Sequence, residues 1–142
     1  RHKGSGKIGL GICQGYAIHG GAIASSVSHD SHNLIVIGDN DRDMCLAVNE
    51  LIRLQGGFVL VQGGKVYDSL ALPIMGLMCD CGFIEANAHL ENMKQKAHEM
   101  GVPGGMDPLI SMSFLALPGI PEIRITPRGL CLVQNGRPRL IQ

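Results

Sequence analysis

Six consecutive residues, Ser28-His29-Asp30-Ser31-His32-Asn33, gather two imidazoles, a carboxylate, two hydroxyls and an amide. Imidazole titrates near neutrality, and a neighbouring carboxylate fixes which ring nitrogen keeps the proton. His29, Asp30 and His32 are therefore candidate catalytic groups, able to move a proton or orient a polar ligand. Ser28 and Asn33 offer a hydroxyl and an amide suited to binding a polar substrate. An ordinary turn, with Asp30 and Asn33 bonded to nearby backbone, would use the same residues without any chemistry. On residue types alone the two readings weigh evenly. Location adds a cost: the hexapeptide lies between apolar runs at 22–27 and 34–37, and burying it without partners is unfavourable.

Two further patterns invite a chemical reading and carry less. Cys79-Asp80-Cys81 could supply two thiolates to a zinc ion completed by His29 and His32. Structural zinc sites usually put about two to four residues between paired cysteines, and here one residue intervenes. Incidental thiols are the commoner case, so no metal ligand is assigned in this chain. Gly4-Ser5-Gly6-Lys7-Ile8-Gly9 fits the spacing of a dinucleotide-binding loop, but too few residues precede it for the required strand, and no helical pattern follows. His2, His19, His89 and His98 have no partner at an informative spacing, and His89 and His98 are expected on the solvated side of a helix.

The whole chain must position these groups, and its composition limits how. With 142 residues it is read as one domain, 1–142, able to bury roughly 70% of the surface its unfolded form exposes. Hydrophobic residues make up 45% and charged residues 17%, a balance against disorder. No apolar run approaches the ~18 residues of a membrane span. Twelve basic residues cancel twelve acidic ones and Trp is absent, which argues against nucleic acid or an anionic membrane as partner. Five cysteines in no repeating frame, with no basic-then-apolar leader, point to the cytoplasm. The start at Arg1, followed by a Gly-rich stretch, is read as a boundary within a longer protein.

Apolar periodicity gives the elements. Ile8, Leu10 and Ile12 alternate with Gly9 and Gly11, predicting a strand over 7–17 that packs closely on another backbone. Strands are predicted at 22–27 and 34–37, then a helix over 41–55 opened by Asn40 and acidic first-turn residues. The runs 58–61 and 65–72, joined by Gly63-Gly64, predict a hairpin. A second helix is predicted over 83–100, with strands at 112–117, 123–126, 130–133 and 138–141 and a tight turn at Asn135-Gly136. Strands interrupted by about two main helices predict an α+β domain, its mostly antiparallel sheet covered on one side.

The run from Gly20 through Ser25-Ser26-Val27-Ser28-His29-Asp30-Ser31-His32-Asn33, Leu34 to Gly38 and Asn40 to Met44 resembles the signature of the adenine deaminase C-terminal domain. The resemblance continues in Leu72-Pro73-Ile74-Met75-Gly76-Leu77-Met78, Asp107-Pro108, Ser113 to Pro118 and Ile120 to Thr126, and so covers nearly the whole chain. It departs locally at Cys79-Asp80-Cys81-Gly82, where a Ser-Asp-Glu type sequence is expected, and at 101–105.

The resemblance implies the C-terminal domain of an amidohydrolase-superfamily enzyme that converts adenine and water to hypoxanthine and ammonia, in purine salvage. It also implies an N-terminal (β/α)₈ barrel whose divalent metal, manganese by expectation, activates the water. No HxH pair occurs here, and a barrel needs ~250 residues, so the barrel ligands are not assigned to this chain and no metal is expected in it. The chain alone is expected to be inactive and to help shape or close the active site. Its expected partners are adenine, through the full-length enzyme, its own barrel and further copies in a homo-oligomer. Two rivals remain: a structural or oligomerisation module, and a self-standing small-molecule or metal-binding domain.

Overall fold

A computed structural model describes residues 6–141; Gly4 and Ser5 of the glycine motif, and His2, lie outside them. Strands β1 (Gly21–Ser25), β2 (Ile35–Gly38), β3 (Gly57–Gln62) and β4 (Lys65–Ala71) form a sheet in the order β2-β1-β3-β4. Every pairing in it is antiparallel. Three helices accompany it: α1 (Asp41–Arg53), α2 (Phe83–Glu99) and α3 (Pro108–Leu115). Strands β5 (Ile123–Thr126), β6 (Gly129–Gln134) and β7 (Arg137–Leu140) make a separate antiparallel meander. The class is α+β.

The main sheet is covered on both faces, not on one. Ala22 and Ala24 of β1 and Val59 and Val61 of β3 pack with Ala47 and Leu51 of α1. The alternate residues, Ile23, Leu60 and Leu70, pack on the other side with Met93 and Ala97 of α2 and Leu109 and Met112 of α3. The cause is visible in β1, where every residue is buried. A strand without a polar residue until its last position, Ser25, rather than one that alternates, belongs between two layers. Burial of side chains as complete as Ile23, Leu60, Leu51 and Met93 stabilises by about 1.5–3 kcal/mol each.

Two sequence expectations need correcting. The run 112–117 falls mostly in α3 instead of a strand, because Asp107 caps a helix whose first residue is Pro108. Asp107 Oδ1 accepts from the backbone N–H groups of Leu109 and Ile110 at 2.9 and 2.8 Å. The segment 7–17 forms no strand, but its predicted close approach is present. A Cβ on Gly9 would lie 2.0 Å from the Thr126 carbonyl oxygen, and one on Gly11 would lie 3.0 Å from the Leu130 side chain. Glycine lets the backbone press onto the meander, which leaves Ile8, Leu10 and Ile12 facing outward.

The two tight hairpins follow their turn residues. Gly63 and Gly64 join β3 to β4, Asn135 and Gly136 join β6 to β7, and all four have positive φ, the conformation a two-residue hairpin turn of this kind demands. The first hairpin is also fastened to α1. The buried Asp43 accepts from Gly64 N–H at 2.8 Å, while Asn40 caps the helix by accepting from Asp43 N–H at 2.9 Å.

Candidate functional site

The polar hexapeptide forms the connection from β1 to β2, and its backbone is held from several directions. His29 N–H donates to the Ser113 carbonyl of α3 at 3.0 Å, Ser31 N–H to His29 O at 2.8 Å, and His32 N–H to Ser28 O at 2.8 Å. Asp30 and His32 both take positive φ, at 60° and 44°. Left-handed backbone at two non-glycine residues costs energy, and such strain concentrates at functional sites. The His29 ring stacks on Phe114 of α3, with centroids 5.4 Å apart and 24° between planes.

The side chains divide into two sets. His29 Nδ1 lies 3.5 Å from Asp30 Oδ1, and these side chains are 49% and 79% exposed, so the pair can meet whatever lies above the loop. Ser28 is fully buried, and its Oγ has no hydrogen-bond partner. Ser31 Oγ and His32 Nδ1 are likewise buried and unpartnered. Buried hydroxyl and imidazole atoms are normally satisfied, so three orphans within five residues call for a partner. Asn33 is half-buried just before β2. The loop thus brings His29 and Asp30 together on its outside and holds Ser28 Oγ, Ser31 Oγ and His32 Nδ1 away from solvent.

Sequence reasoning gave no role to the residues that hold this loop. Ser26 N–H donates to Gly57 O at 3.0 Å. Ser26 Oγ accepts from Gly57 N–H at 2.8 Å and donates to the Gly76 carbonyl at 2.7 Å. The Pro73–Met78 turn is thereby tied beside the loop. Gly56 permits the approach, since a Cβ there would lie 2.5 Å from Gly76 Cα. The available signal was the serine run Ser25, Ser26 and Ser28 closing an apolar strand, since hydroxyls there must find backbone partners when buried. Below Phe114, the Asp107 cap anchors α3. Burial raises the Asp107 carboxyl's pKa, but the Ile110 N–H, the Lys94 ammonium 3.0 Å away and the Leu109 N–H together hold it below its usual value.

The remaining candidates are dispersed. Among the described residues no group of three or more His, Cys, Asp and Glu side chains is arranged to hold a metal, and His29 and His32 do not converge with Cys79 and Cys81. His89 and His98, expected on a solvated helix side without partners, are both bonded. His89 Nδ1 is 2.7 Å from Asp68 Oδ1 on β4, and His98 Nδ1 is 2.9 Å from the Val102 carbonyl. These residues lie at the margin between α2 and its neighbours, where a polar side chain reaches back to backbone or to the sheet edge. A cavity of about 430 Å³ is lined by Leu132, Gln134, Asn135, Arg137 and Arg139 of the meander, and no loop residue borders it.

The sequence model of the adenine deaminase C-terminal domain matches residues 1–137. This chain belongs to that family. It is 52% identical over 130 residues to an adenine deaminase of Desulfitobacterium hafniense (strain Y51), covering 92% of this chain and 23% of the relative. An adenine deaminase of Nitratidesulfovibrio vulgaris (strain Hildenborough) is 48% identical over 131 residues, again covering 92% and 23%. One of Bacillus subtilis (strain 168) is 43% identical over 135 residues, covering 95% and 23%. The chain therefore spans about a quarter of the length of these curated relatives. Within this adenine deaminase C-terminal domain, no helix among the described residues is long and apolar enough to cross a membrane.

Proposed function

We propose that this domain serves an adenine deaminase, converting adenine and water to hypoxanthine and ammonia in purine salvage in the cytoplasm, and that its 28–33 loop caps the active site. One observation carries the placement: the His29–Asp30 pair, 3.5 Å apart, stands exposed on a loop whose backbone is already fixed. An exposed imidazole–carboxylate pair on fixed backbone can meet a polar ligand or an opposing domain. The relatives' printed name supplies the reaction, and their length leaves room for a catalytic barrel beyond the matched region.

In this reading residues 1–142 form a single domain attached to an N-terminal (β/α)₈ barrel, and the intact protein is a homo-oligomer. The residues here do not fit the divalent metal, manganese by expectation, because no three potential ligands among the described residues converge. The loop's own contribution is to orient and shield. His29 and Asp30 face the purine from the exposed side and relay a proton, the half-buried His32 orients it and Asn33 bonds its polar edge, while Ser28, fully buried within the domain, supports the loop from beneath instead of touching the substrate. The domain alone is inactive.

Histidine modification by diethylpyrocarbonate tests the placement. His29 and His32 should react in the isolated chain and be protected in the full-length protein with adenine bound. Equal reactivity in both would return the loop to a self-contained structural turn.

A further inference from the structure

The segment from the Pro73–Met78 turn to α2 carries Cys79 and Cys81, one residue apart. Cys79 Sγ donates to the Cys81 carbonyl oxygen at 3.5 Å. That contact and the one-residue spacing keep both thiols on the same short bend. Both side chains are half-buried against the main core. The backbone between them is a bend outside any helix or strand, and the space around Gly82, which follows, is open. Among the described residues no third ligand joins them in a metal-sized group. Cys13 and Cys45 are exposed elsewhere, and Cys131 is buried in the meander.

Two adjacent thiols on irregular backbone, reachable from solvent and lacking a third ligand, suit two-electron exchange better than metal binding. We propose that Cys79 and Cys81 form a reversible dithiol–disulfide site whose co-substrate is a small-molecule disulfide. With glutathione disulfide, the Cys79 thiolate attacks one sulfur. The S–S bond breaks, and the first glutathione leaves as a thiolate that takes up a proton. Cys81 then loses its proton, attacks Cys79 Sγ in the mixed disulfide and releases the second glutathione. Two protein thiols are oxidised to one disulfide while one glutathione disulfide is reduced to two thiols. This chemistry is independent of the role proposed for the 28–33 loop.

The test is to incubate the folded protein with glutathione disulfide, alkylate the remaining thiols and digest with trypsin. A single peptide, Val66 to Lys94, contains both cysteines. It should appear lighter by two hydrogens, unalkylated and free of glutathione, and dithiothreitol should reverse this. Cys81→Ser, nearly isosteric and so expected to fold, should instead hold one glutathione on Cys79. Recovery of both cysteines alkylated while Cys13 and Cys45 carry glutathione would overturn the proposal. Stable glutathione on Cys79 or Cys81 of the unsubstituted protein would overturn it equally.

Discussion

Ser26 Oγ donates to the Gly76 carbonyl at 2.7 Å, so the turn after β4 hangs from the residue that leads β1 into the polar loop. The same oxygen accepts from Gly57 N–H, and Ser26 is only 3% exposed. Ser26→Ala would leave a buried carbonyl and a buried N–H without this partner. The expected loss is about 1–3 kcal/mol, read from urea unfolding with an unchanged m value. A loss below a few tenths of that would show that the turn is held by other contacts.

Asp107 should make stability depend on acid. Its folded pKa lies below the unfolded value of about 3.9, so its contribution is fully present above that value. That contribution is lost as pH falls through the lower folded pKa. The urea midpoint should therefore fall below about pH 4, and Asp107→Asn should flatten that part of the curve. Asp107→Ala removes the α3 cap as well and should cost about 1 kcal/mol at neutral pH.

Much of this frame is legible in the sequence, and what is not has a physical reason. Asn40 before α1 and the two hairpin turns act through local backbone preferences, which a sequence displays directly. The α3 run has Ser111 and Ser113 alternating with apolar residues, a period-two pattern that reads as a strand, and the Asp107-Pro108 start is the deciding signal for a helix. The loop's residues are equally legible as a polar cluster. How the loop is held is not, because that depends on Ser113, Phe114 and Gly76, distant in sequence and brought in by the fold.

Ile8, Leu10 and Ile12 are 82%, 78% and 104% exposed on one side of the segment that Gly9 and Gly11 press onto the meander. An apolar strip of this kind favours association. The isolated chain should self-associate at high concentration, and Leu10→Asp should shift it toward monomer in sedimentation velocity without lowering thermal stability. Gly9→Val, which cannot fit beside Thr126 O, should release the segment to proteolysis at Lys7. Identical sedimentation of the parent and Leu10→Asp would remove this strip as the contact.

The central claim is that the 28–33 loop serves catalysis without binding the catalytic metal. The most direct measurement is kcat/KM for adenine in full-length protein carrying His29→Ala, Asp30→Asn or His32→Ala, with metal content and thermal stability measured on the same samples. The account predicts a fall of at least tenfold, about 1.4 kcal/mol of lost transition-state stabilisation, for His29→Ala and Asp30→Asn, with metal content and melting temperature near those of the parent. His32→Ala should lose less. Parental kcat/KM in all three variants, or losses that only track stability, would contradict it.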